Sequence, residues 1–140
     1  TYGTIGLVAV LAVKFLTLAT IPVPHLFTVL ITGHVFSRFV PVVLVYTTPY
    51  IREDALSKAK PIGNQTSEKS LLIALFTAIL PFFFFSWMTI LTVTIVSAAI
   101  FLLFRMYIMK RTGGYSGDVL GALQQLIEVG FYLTVCAILT

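Results

Sequence analysis

Residues Leu71–Phe104 read LLIALFTAILPFFFFSWMTILTVTIVSAAIFLLF, 34 residues in a row without a charged side chain. As a single α-helix this stretch would extend about 51 Å, whereas the hydrocarbon core of a bilayer is about 30 Å thick. Two crossings fit better than one. Pro81 followed by Phe82–Ser86 is the only place for the turn between them, because proline has no N–H to continue a helix. The stretch therefore predicts two short spans, Leu71–Phe85 and Trp87–Phe104. Phe82–Phe85, beside Trp87, is expected to face lipid or to anchor at the interface.

Three further apolar runs lie on either side. Ile5–Thr20 carries Lys14 and is closed by Pro22 and Pro24. Leu26–Tyr46 carries His34, Ser37 and Arg38, and Val119–Leu139 carries Gln124, Gln125 and Glu128. The reading is an all-α polytopic membrane bundle, one domain over residues 1–140, with about five transmembrane helices and two basic loops. Composition agrees: 59% of residues are hydrophobic and 10% charged, with a mean hydropathy of +1.04. Soluble domains carry about 25% charged residues. Nine Lys and Arg and five Asp and Glu cannot solvate the surface of a 140-residue globule. This excludes a soluble enzyme and a disordered tail. The net charge of +4 does not indicate a nucleic-acid partner, because the bases lie between apolar runs and not on one basic face.

Charge placement sets the expected topology. Arg52, Lys58, Lys60 and Lys69 lie in Thr47–Ser70, and Arg105, Lys110 and Arg111 lie in Arg105–Asp118. Two crossings between these segments put both on one side, cytoplasmic by the positive-inside rule. The connectors Ile21–His25 and Pro81–Ser86 hold no Lys or Arg. The N-terminus is then cytoplasmic, the C-terminus is outside, and the location is the cell membrane. No basic stretch precedes Ile5–Val13, so a secretory signal is not expected, and a chain starting at Thr1 reads as a piece of something longer. The single cysteine, Cys136, cannot form an internal disulfide.

Ionisable groups inside apolar runs cost about 2.5–3.5 kcal/mol each on insertion scales and are functional candidates by default. Lys14, Arg38 and Glu128 qualify. Lys14 could instead snorkel to an interface. Arg38 either pairs with a buried carboxylate, for which Glu128 is the candidate, or binds a phosphate through its planar fork. His34, one turn from Arg38, reads as a hydrogen-bonded interior histidine.

KRTGGYSGDVLGALQQLIE, Lys110–Glu128, is the stretch richest in possible chemistry. Gly113, Gly114 and Gly117 precede a helix starting near Asp118. Such backbone can approach an anion closely, with Lys110 and Arg111 adding positive charge. A membrane-entry loop with Asp118 or Ser116 as N-cap is an equal reading. At 100° per residue, Asp118, Gly121, Gln125 and Glu128 share a face within an arc of about 80°, as a helix lining a cavity would. The loop Pro49–Glu68 reads as solvated, with Arg52 noted because it follows the helix carrying Arg38. No metal-ligand spacing and no hydrolase triad is present.

These residues resemble a known family. KRTGGYSGDVLGALQQLIEV is similar to the C-terminal signature of the cobalamin synthases (adenosylcobinamide-GDP ribazoletransferases), in which a glycine pair leads to a Thr/Ser-Gly-Asp-x-Leu-Gly-Ala run. The opening TYGTIGLVAVLAVKF, the pair Ser37-Arg38 and Tyr50-x-Arg52 resemble family segments in the same order. The resemblance implies a membrane transferase that joins adenosylcobinamide-GDP to α-ribazole or its 5′-phosphate, releases GMP and requires Mg2+. Asp118 would be the catalytic candidate. Lys14, Arg38, Arg52, Lys110, Arg111, Gly113, Gly114, Gly117, Gln125 and Glu128 would be the substrate-binding set.

The family carries an upstream acidic motif, Asp-Gly-x-Ala-Asp-x-x-Asp, as its natural magnesium site. This chain begins after it, which implies a C-terminal portion without the main metal ligands. Assembly as a homo-oligomer stays open. The competing readings are a transporter or channel-type subunit, marked by buried Arg and Glu, and an inactive scaffold clamped by Arg38 and Glu128.

Overall fold

A computed structural model describes residues 2–51 and 67–139. Five α-helices follow in order: α1 (Tyr2–Thr20), α2 (Val23–Thr47), α3 (Glu68–Ile79), α4 (Trp87–Arg111) and α5 (Gly117–Leu139), with a 3-10 turn at Leu80–Phe84. The ends follow local chemistry. Pro24 sits in the first turn of α2, where a missing N–H costs nothing. Ser67 and Ser86 cap α3 and α4 by accepting from the backbone N–H groups of Ser70 and Thr89. Lys110 and Arg111 close α4, where cations oppose the negative end of the helix dipole.

Four of the five helices, α1, α2, α4 and α5, are long and apolar enough to cross a bilayer. The third expected span is shorter than the others. Its α-helix has 12 residues, about 18 Å of rise. Pro81 then forces the chain into the 3-10 turn. The phenylalanine run divides in two. Phe82 is buried against Phe36 and Phe131, with ring centroids 5.2 and 6.2 Å away, whereas Phe83 and Phe84 are exposed. The expectation of a uniformly lipid-facing run therefore fails at Phe82, because the tight turn aims that one ring inward.

Helix α5 is the axis of the bundle, with α1, α2 and α4 packed around it. One apolar cluster joins Val29, Phe82, Val93, Phe131, Tyr132 and Val135. A second joins Val40, Leu44, Ile108, Tyr115, Leu123 and Ile127. Gly33 of α2 has no room for a Cβ, which would meet the rings of Tyr132 and Phe131. That close approach seats α2 on α5.

Helices α2 and α4 end on the same side, as the two-crossing reading requires. Arg105 of α4 donates from Nη2 to the carbonyl of Thr47 (3.1 Å) and from Nε to Oγ1 of Thr48 (3.4 Å). It thereby satisfies a carbonyl that the end of α2 leaves open. Arg105→Ala should cost about 1.5–3 kcal/mol, the range for hydrogen bonds to a charged group. Faster amide exchange confined to Thr47–Ile51 is the expected signature. Unchanged exchange there would mean that the following loop pairing holds the two ends without Arg105.

Candidate functional site

The polar face expected on α5 exists and is graded in depth. Asp118 and Gly121 are exposed, Gln125 is half-buried, and Glu128 is 8% exposed. Asp118 and Glu128 are about 15 Å apart along the axis. Near the start of the helix a Cβ at Gly117 or Gly121 would meet nothing within 4 Å, so that end of the face is open. Deeper in, α1 closes it. Lys14 Nζ donates to Gln125 Oε1 at 2.6 Å and to Glu128 Oε2 at 2.7 Å, and the Tyr132 hydroxyl donates to Glu128 Oε1 at 3.0 Å.

Both carboxylate oxygens are thus occupied, the condition under which a buried ion pair is tolerated. Lys14 does not snorkel, since its side chain is 13% exposed and is held by two partners on α5. One helical turn or two further along, Thr20 Oγ1 and Cys136 Sγ meet at 3.0 Å on the same side of α5.

Glu128 therefore pairs with Lys14 and not with Arg38, which corrects the expected clamp. The Lys14–Glu128 bridge is the only ion pair among the described residues. Arg38 and His34 sit exposed on α2, so the interior-histidine expectation also fails. The cause is geometric: Gly33 and Ser37 face α5, and residues one position further on point away from it. Tyr132 was not singled out from the sequence. Its spacing of four from Glu128 on a helix was the available signal.

The glycine pair has a backbone explanation. Gly113 has φ +78°, a conformation that other residues rarely adopt. A Cβ on Gly114 would collide with the carbonyl of Pro49 and the side chain of Ile51. Here the chain after α2 and the chain before α5 pair as a two-residue ladder. Ile51 N–H donates to Tyr115 O and Tyr115 N–H to Pro49 O, both at 3.0 Å. The Tyr50 and Tyr115 rings meet at a tilt of 58°, with centroids 5.4 Å apart. Burial, then the neighbouring Tyr50, pushes the Tyr115 phenol above its ordinary value.

Gly113 and Gly114 thus serve the turn and the close approach, while Gly117 keeps open space around it. Lys110 and Arg111 are exposed, with the Arg111 guanidinium 6.0 Å from the Tyr107 ring centroid. Arg52, with Glu53, Asp54, Lys58 and Lys60, lies outside the described residues.

The family model described as cobalamin-5-phosphate synthase matches residues 1–136. The chain belongs to that family. It is 35% identical over 140 residues to an adenosylcobinamide-GDP ribazoletransferase of Vibrio cholerae serotype O1, covering 99% of this chain and 54% of the relative. It is 39% identical over 140 residues to the enzyme of that name from Shewanella woodyi, covering 95% of this chain and 53% of the relative. The relative from Vibrio parahaemolyticus is 35% identical over 138 residues, covering 98% and 52%. The chain spans about half the length of the curated relatives it matches. No solved structure matches it.

The synthase family resemblance carries an expectation of magnesium. Among the described residues no three His, Cys, Asp or Glu side chains converge to hold a metal ion. Among the described residues Asp118 is the one carboxylate at the open end of α5. These residues by themselves do not make a magnesium site.

Proposed function

We propose that this chain forms part of a membrane transferase that joins adenosylcobinamide-GDP to α-ribazole, or its 5′-phosphate, with release of GMP. The family match over residues 1–136 is the observation that carries this reading. The open, polar start of α5 gives the reading a place in the fold. In the reaction the ribazole hydroxyl attacks the cobinamide-side phosphorus. A new oxygen–phosphorus bond forms, the bond to the GMP phosphate breaks, and its electron pair leaves with GMP.

In this reading Asp118, exposed at the first turn of α5, accepts the hydroxyl proton. The exposed cations Lys110 and Arg111, together with the N-terminus of α5, offset the charge of the diphosphate. Gly117 lets a phosphate approach the backbone there. The buried Lys14–Gln125–Glu128 group forms the floor beneath, fixing α1 against α5. The basic ends of α2 and α4 face the cytoplasm in this reading, by the positive-inside rule.

Asp118→Asn in the intact enzyme should abolish adenosylcobalamin formation and leave membrane insertion unchanged. Undiminished product from that variant would remove Asp118 from the chemistry. The transport reading gains no support from Glu128, whose two carboxylate oxygens are held by Lys14 and Tyr132.

A further inference from the structure

Arg38 and His34 stand one turn apart on α2, exposed, and neither side chain forms a hydrogen bond or ion pair with any described residue. Arg38 is the sixteenth residue of a 25-residue helix, so about 14 Å of helix separate it from Thr47. This is membrane depth, where an unpaired guanidinium is costly. We infer that the face of α2 carrying Phe27, Ile31, His34, Arg38 and Val45 docks a transmembrane helix from outside this chain, which brings a carboxylate to Arg38.

Three observations choose this occupant. The first is the pattern around the charge. At 100° per residue these five side chains fall within an arc of about 60°, a stripe of helix-packing width. Apolar Val42 and Val45 lie between Arg38 and the end of the helix. A wet path for a soluble anion would continue polar to the surface, as the face of α5 does from Glu128 to Asp118. The stripe on α2 does not, and a polar pair enclosed by apolar residues is the pattern of a buried helix–helix contact.

Charge complementarity is the second. Apart from Asp118 at the first turn of α5, Glu128 is the one carboxylate within the described spans, and both of its oxygens are taken by Lys14 and Tyr132. A second copy of the chain therefore brings no free carboxylate at that depth. The third is position: α2 buries Val29, Gly33, Ser37, Val40 and Leu44 against its neighbours, while Phe27 remains 74% and Ile31 43% exposed. The stripe is uncovered from Phe27 to Arg38, while Val45 at its end is half-buried against the second apolar cluster, and α1 packs mainly on α5.

The test is site-specific photocrosslinking in the full-length protein in its native membrane. A benzophenone amino acid replaces Phe27 or Ile31 in turn, and the adducts are sequenced by mass spectrometry. The expected product is a peptide from an apolar span outside residues 1–140 that contains Asp or Glu. Its yield should fall about tenfold or more with Arg38→Gln, as when a buried charge pair loses one partner, and persist with Arg38→Lys. Crosslinks to lipid alone overturn the inference. So does a peptide without a carboxylate, or one from this chain, whether a second copy or the stretch holding Glu53 and Asp54. Because the crosslinks are read first with Arg38 intact, a folding defect in Arg38→Gln cannot decide the outcome.

Discussion

Lys14→Met should loosen α1 from the bundle at a cost of about 3–5 kcal/mol, the range for breaking a buried ion pair by removing one partner. The reason lies in what remains. Glu128 is 8% exposed, and without Lys14 it keeps only the hydroxyl of Tyr132. A carboxylate in that position must either stay charged among apolar side chains or take up a proton, and both are unfavourable.

The double variant Lys14→Met/Glu128→Gln should recover most of the loss. A neutral amide can still accept from Tyr132, and no bare charge is left. Unfolding in mild detergent, followed by accessibility of a cysteine placed on the exposed side of α1, reads the separation of that helix. Equal losses in the single and double variants would show that the pair is not what binds α1 to α5. Apolar contact is a weak alternative, since most of α1 is exposed and, among its described residues, only Thr17 is fully buried, with Leu18 half-buried against the first apolar cluster.

This network shows where sequence reading succeeded and where it stopped. Membrane class, helix order and the shared face of Gln125 and Glu128 follow from hydropathy and the 3.6-residue period, which depend only on the chain itself. The partner of Glu128 depends on which helices pack on α5, and hydropathy is silent about that. By sequence Arg38 was the expected partner of Glu128 and Lys14 the cation that could snorkel, and the close contact of Gly33 with Tyr132 reversed the two. Seating α2 through Gly33 turns Ser37 inward and Arg38 outward, and leaves the opposite flank of Glu128 to α1. The glycine pair was ambiguous for a similar reason. A glycine needed for φ and one needed for a ligand look alike in sequence, and only the approach of Pro49 distinguishes them.

Gly114→Ala should be among the most damaging small substitutions in the chain. The added Cβ meets the Pro49 carbonyl and the Ile51 side chain. The carbonyl cannot turn aside, because it accepts the Tyr115 N–H in the ladder that joins the ends of α2 and α5. Overpacking of a tight site costs about 1–3 kcal/mol and occasionally more, and opening the ladder adds two hydrogen bonds at about 1 kcal/mol each. The expected total is therefore about 3–5 kcal/mol. The damage should appear as solvent exposure of Tyr115, which is 4% exposed.

Gly117→Ala, three residues on, has no such obstacle. Its Cβ meets nothing within 4 Å, and alanine at a helix start should be neutral or slightly stabilising. The two variants together separate scaffold from chemistry. Loss of transferase activity in Gly117→Ala, with Tyr115 still buried and unfolding unchanged, is expected if a phosphate approaches the backbone at the start of α5. Full activity in Gly117→Ala would move the phosphate elsewhere and leave the glycines of this loop with the turn and the ladder as their whole role.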